Sequence, residues 1–140
     1  MTETGNNNSI TFPSKTNQVA VADEFLETWL REHGVSEDTI ANLAIAITEL
    51  VNNAIIHGNK LQAEKMVTLE LRVHDNKLEA SVTDQGAGFT VDSVPDPLAE
   101  ENLLKEIGRG IFIVNSMMDD VKYDFPPEGG TKVTVVKSLD

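Results

Sequence analysis

The chain has no cysteine, which removes disulfides, thiolate metal centres and cysteine nucleophiles and is compatible with a reducing compartment. Basic residues are scarce. Eleven Lys and Arg stand against 23 Asp and Glu, leaving a formal charge of -12. Such a field repels nucleic acid backbones and anionic membrane surfaces, so neither is expected as a direct partner. A bound polyphosphate would therefore have to be held by local donors and a cation. No apolar run approaches the length that spans a bilayer, and Met1 to Ser9 lacks the basic and apolar regions of a secretion signal. The expected location is the cytoplasm. Gly-Lys-Ser/Thr is also missing, as is a six-residue glycine pattern opening a helix after the first strand, which disfavours P-loop and dinucleotide folds. The three histidines, His33, His57 and His74, fall on separate elements and make a poor basis for a histidine metal centre.

What is present is one domain's worth of chain. It has 140 residues, 40% hydrophobic and 24% charged, close to an ordinary globular domain. A globule of that size buries roughly two-thirds of its unfolded surface. Residues 1–9 are polar and read as a frayed tail, leaving a single domain over 10–140. Ile10 to Phe12 suits a short strand that Pro13 stops. From Thr16 to His33, Val19, Ala22, Phe25, Leu26, Trp29 and Leu30 recur at helical spacing, and Gly34 sits where a C-terminal cap belongs. Ser36, followed by Glu37 and Asp38, reads as the N-cap of a second helix that runs to about His57 and stops at Gly58. Its core stripe is Leu43, Ile47, Leu50, Val51 and Ala54, with Glu49, Asn52, Asn53 and His57 on another side.

Met66 to His74, the turn Asp75-Asn76 and Lys77 to Thr83 predict a β-hairpin. Residues 90–107 hold two prolines and few apolar positions, a long loop of the kind that serves as a lid. Gly108 to Met118 returns to helical spacing, with Met117 and Met118 as packing residues. Val121 to Phe125 and Gly130 to Lys137 then read as two strands joined by the turn Pro126-Pro127-Glu128-Gly129. The order of elements segregates long helices from strands. It predicts an α+β two-layer sandwich with a mixed, mostly antiparallel sheet and helices on one face.

Three segments carry chemistry. Glu49 and Asn53 are four apart and share one helix face, with His57 a turn further on. A carboxylate there can deprotonate or orient a nucleophile, and a carboxamide oxygen suits a magnesium ion that keeps several waters. By itself the pair is also what the solvated side of an amphipathic helix carries. Asp84-Gln85-Gly86-Ala87-Gly88-Phe89 follows a strand directly. Its two glycines permit a close backbone approach to a ligand, and Asp84 could accept from an exocyclic amine such as that of adenine. An ordinary strand-ending turn has the same composition. Gly108-Arg109-Gly110 opens a helix, where unpaired N–H groups and the dipole attract phosphate. Glycine pairs of this kind also occur as plain loop ends.

Together the segments resemble the ATP-binding fold of gyrase, Hsp90, histidine kinases and MutL, known as the Bergerat fold. Within that superfamily they are most similar to anti-sigma factors that are also serine-protein kinases. The resemblance runs from Ile10 to Lys137 and rests on Thr48 to Gly58, Asp84 to Phe89, Gly108 to Ile111 and Gly129-Gly130-Thr131. It implies ATP and Mg2+ as cofactors, with Asn53 ligating the metal and Glu49 acting as the base for the attacking hydroxyl. Asp84 would take the adenine amine with help from Thr131, and Gly86 and Gly88 would lie close to the base. Gly108, Arg109 and Gly110 would meet the phosphates beneath the lid. Lys105, its only basic residue before Arg109, counts among the nucleotide contacts; the lid lacks the threonine- and lysine-containing stretch of the best-known members. The resemblance further implies a homodimer that binds a sigma factor and phosphorylates a serine of a small STAS-type anti-anti-sigma antagonist. The alternatives are a non-catalytic ATP-binding switch and a detached histidine-kinase-like ATPase domain.

Overall fold

A computed structural model describes residues 4–5, 8–86, 112–127 and 129–139. The sheet has six strands in the order β1-β2-β3-β4-β6-β5, and every described pair is antiparallel. β1 (Thr4–Gly5) and β2 (Ser9–Pro13) form one edge, β3 (Met66–His74) and β4 (Lys77–Thr83) the centre. β5 (Asp120–Asp124) forms the other edge, outside β6 (Lys132–Ser138). Two long helices, α1 (Gln18–Glu32) and α2 (Glu37–Asn53), and a short α3 (112–117) complete the described elements. The predicted α+β architecture is present.

Local chemistry accounts for the boundaries. α1 ends in a Schellman motif: Gly34 has φ +77°, its N–H donates to the Arg31 carbonyl at 3.1 Å, and the Val35 N–H donates to Leu30 at 3.1 Å. α2 starts at Ser36, whose Oγ accepts from the Thr39 N–H at 3.3 Å, with Glu37 and Asp38 in the first turn. The β3–β4 hairpin turns on Asp75 and Asn76, both with positive φ (51° and 58°), the type I′ geometry that matches strand twist. Thr4–Gly5, inside the stretch expected to fray, pairs with Ile10 and Thr11; backbone pairing needs no apolar side chain. β2 likewise begins at Ser9 and carries Pro13 at its last position, opposite Met66.

The core lies between the helices and one sheet face. Ala22, Leu26, Trp29 and Leu30 of α1 and Leu43, Ile47, Leu50 and Val51 of α2 are buried. They meet alternating positions of the strands, Phe12, Val67, Leu69, Leu71, Leu78, Ala80, Val82 and Val135. Within the continuous helical stretch Glu37–Gly58, an 18-residue window has mean hydropathy 1.5, so the stretch passes for a bilayer span by length and composition, where the sequence reading expects no such run. Its apolar side is instead the centre of this core. On the opposite sheet face, polar residues alternate outward, among them the ion pair Arg72–Glu79 and the Thr11–Thr68 hydroxyl pair at 2.9 Å.

The sequence reading expects a helix to about His57 that stops at Gly58, and the helical stretch does end at Gly58, though not as an α-helix. The last turn, Ala54–Gly58, is instead a π-helix, with the Asn59 N–H donating to the Ala54 carbonyl at 2.8 Å. One extra residue per turn is thereby taken up, a feature that recurs at functional sites. Here it brings Gly58 and Asn59 against the end of β4.

Candidate nucleotide site

Asp84 follows β4 and is the focus of the site. It is only 6% exposed. Its N–H donates to the Thr131 carbonyl at 3.0 Å, continuing the β4–β6 ladder by one more pair. Oδ1 accepts from the Thr131 N–H at 3.1 Å and from the Gly86 N–H at 3.0 Å. Burial pushes the Asp84 carboxyl above its ordinary value, while those two N–H groups and, more distantly, Lys65 pull it back. A carboxylate has about four lone-pair positions. Among the described residues no donor reaches Oδ2.

Three glycines make this approach possible. A Cβ at Gly58 would overlap Oδ2 and Cγ of Asp84, one at Gly86 would overlap the Gly58 carbonyl, and one at Gly130 would overlap the Asp84 carbonyl. Gly130 also has φ +89°, a region that disfavours side chains. The end of α2, the end of β4 and the start of β6 thus meet at backbone distance. Thr131, predicted as a helper of Asp84, is joined to it by two hydrogen bonds.

Glu49 and Asn53 lie on α2, both half-buried, one turn apart and leading to Gly58. Gly88, Lys105, Gly108, Arg109 and Gly110 lie outside the described residues, as does the lid over 90–107. Asn59, Gln85 and Ser14 are absent from the sequence-based site but are linked to it, Gln85 as the residue after Asp84, Asn59 by a hydrogen bond from the Gln85 N–H and Ser14 by one from Asn59. Asn59 is fully buried and accepts from the Gln85 N–H at 2.8 Å. Its position after the helix-ending glycine was the available signal, although burial of an asparagine does not show in a single sequence.

The arrangement fits an adenine nucleotide on two observations. A buried carboxylate has one oxygen to which no described residue donates, and its surroundings are walled by glycine backbone. For a metal, the described residues contain no cluster of three or more His, Asp or Glu side chains. An ion here would draw on Asn53, water and the oxygens of a polyphosphate, the mode by which Mg2+ accompanies nucleotides.

The chain matches known proteins along nearly its whole length. Residues 12–137 match the histidine kinase-like ATPase domain family. The anti-sigma F factor of Oceanobacillus iheyensis is 28% identical over 136 residues, covering 96% of this chain and 93% of the relative. The anti-sigma F factor of Bacillus subtilis is 32% identical over 104 residues, 73% of this chain and 71% of the relative. The serine-protein kinase RsbW of Listeria innocua is 27% identical over 138 residues, 94% and 87% of the two chains. Among solved structures, the RsbU and RsbW domains of a Mycobacterium tuberculosis protein superpose with a TM-score of 0.64 at 22% identity, covering 94% of this chain and 31% of that one.

Proposed function

Because the chain belongs to the histidine kinase-like ATPase domain family, in the group of anti-sigma F factors and RsbW kinases, we propose that it is an ATP-dependent anti-sigma factor and serine-protein kinase. The observation that carries this reading is the buried Asp84 carboxylate, held at a glycine-walled strand end with one oxygen to which no described residue donates. The relatives' names support the anti-sigma and kinase roles.

In this reading Asp84 accepts from the adenine amine, Thr131 supports it, and Gly86 and Gly88 let the base lie against backbone. Asn53 offers its carboxamide oxygen to Mg2+, and Gly108, Arg109, Gly110 and Lys105 meet the phosphates beneath the 90–107 lid. ATP would supply the transferred phosphoryl group and leave as ADP, and Mg2+ would neutralise charge on it. Glu49 would take the proton of the substrate serine hydroxyl, whose oxygen forms the new bond to phosphorus as the bond to the ADP oxygen breaks. Such a reaction needs mainly positioning and charge neutralisation, which one helix face and a closing lid can provide.

The proposed partners are a sigma factor and a small STAS-type antagonist whose serine is phosphorylated, with the protein acting as a homodimer of one 10–140 domain per chain in the cytoplasm. Phosphoserine would release the antagonist through added charge at the interface. The test has two variants. Asn53→Ala should abolish Mg-dependent ATP binding in calorimetry, and unchanged affinity would remove Asn53 from the metal. Glu49→Gln should retain binding and lose roughly 100-fold in phosphotransfer, the scale of a general base. Equal turnover with wild type would remove Glu49 from the mechanism, and absence of phosphotransfer by the wild type would point to a non-catalytic ATP switch. Capture of partners with and without ATP, followed by mass spectrometry for phosphoserine, identifies the client.

A further inference from the structure

We infer that Asn59, together with Ser14 and Gln85, forms a clasp that aims Asp84 and so sets the preference for a 6-amino over a 6-oxo purine, acting through Asp84 rather than on the base itself. The inference rests on the adenine reading of Asp84 given above.

Asn59 uses its whole amide. Nδ2 donates to Ser14 Oγ at 2.7 Å and to the Met66 carbonyl at 3.0 Å, while Oδ1 accepts from the Gln85 N–H at 2.8 Å. The assignment of oxygen and nitrogen is forced, because Met66 offers an acceptor and Gln85 a donor. Ser14 is itself buried, and its hydroxyl donates a hydrogen bond to the Lys65 carbonyl at 2.6 Å. Gln85 closes the circuit, its Oε1 accepting from the Met66 N–H at 2.6 Å. Four segments are joined: the end of β2, the turn after the π-helix, the start of β3 and the end of β4.

The clasp acts on Asp84 through the peptide it shares with Gln85. On the other side, Thr131 binds the Asp84 N–H and Oδ1. Asp84 is therefore fixed from both flanks, by β6 directly and by Asn59 through the next peptide plane. Release of the Asn59 side would let the turn pivot and spoil the alignment of Oδ2, to which no described residue donates, with an incoming amine. A hydrogen bond to a base edge depends on that alignment. A mere packing role for Asn59 would weaken every nucleotide equally.

The experiment compares binding of MgATP and MgITP by calorimetry for wild type, Asn59→Ala, Gln85→Ala and Gln85→Glu, with circular dichroism to establish folding. Wild type should prefer ATP by about 10- to 100-fold, the weight of a charge-assisted hydrogen bond. Asn59→Ala should lose most of that ratio. Gln85→Ala, at an exposed position that tolerates truncation, should lose roughly 3- to 10-fold, the share of one neutral hydrogen bond. Gln85→Glu keeps the acceptor for Met66 and should restore the ratio. A preference kept intact in folded Asn59→Ala overturns the clasp, and if that variant does not fold, an unchanged ratio in Gln85→Ala overturns it. Wild type that binds ATP and ITP equally would defeat the adenine reading of Asp84 instead.

Discussion

Replacing Asp84 with asparagine separates what the carboxylate does for the fold from what it does for a nucleotide. In the folded protein Oδ1 holds the Gly86 and Thr131 N–H groups, and an amide oxygen can hold both. Those bonds weaken from charge-assisted to neutral, a loss of about 0.5–1.5 kcal/mol each. Against that stands the cost of keeping a charge where only 6% of the residue is exposed, a cost visible as a carboxyl raised above its ordinary 3.8 mainly by burial. Because the folded pKa is raised, the folded state holds the proton more firmly than the unfolded chain. Stability therefore falls as pH climbs above the unfolded value, and at neutral pH the charge is a net burden on this account. The two effects offset, so the ligand-free melting temperature of Asp84→Asn should stay within about 4 °C of wild type, the equivalent of roughly 1 kcal/mol. MgATP affinity should fall by about 10- to 100-fold, since the amine loses a charged acceptor worth about 1.5–3 kcal/mol. Scanning calorimetry and titration calorimetry on the same preparations measure both. Wild-type ATP affinity in the variant, or a melting temperature more than 10 °C lower, would refute the division of labour.

Two further predictions concern the fold around the site. Gly130→Ala combines a φ of +89° with overlap of the Asp84 carbonyl and should cost at least about 2 kcal/mol in urea denaturation; a cost under 0.5 kcal/mol would contradict the described approach of β6 to β4. On α1, burial and the neighbouring Glu27 push Asp23 up to about 6, with Arg31 opposing. The folded state is thus favoured while Asp23 keeps its proton and loses that advantage as pH rises from 3.8 to about 6. Asp23→Asn should stabilise by about 1 kcal/mol above pH 7, discounted for partial exposure, with the gain vanishing below pH 4. A pH-independent difference in melting temperature would reject this assignment.

The elements that sequence patterns reveal well are those governed by neighbours in the chain. The β3–β4 hairpin falls on the predicted residues because Asp75-Asn76 carries its own turn geometry. Ser36 and Gly34 mark helix ends for equally local reasons. Asp84 and Gly86 stand out by composition at a strand end and Thr131 only through the family resemblance; the Asp84 carboxylate accepts from the backbone N–H of Gly86 and of Thr131. The π-turn at Ala54–Gly58 was not legible, since periodicity cannot distinguish one inserted residue in a last turn. Asn59 escaped for a different reason. Its value lies in partners at Ser14, Met66 and Gln85, up to 45 residues distant in sequence, and no local pattern encodes them.

β6 comes last of the strands in chain order yet sits inside the sheet, between β4 and β5. Seven residues of β4 and five of β5 pair with it, and Thr131 at its threshold secures Asp84. On the proposed reading, a polypeptide still emerging from the ribosome lacks the residue that secures Asp84 until its last strand has been made. A product terminated before β6 should then be blind to ATP and also lack the strand that joins β4 to β5.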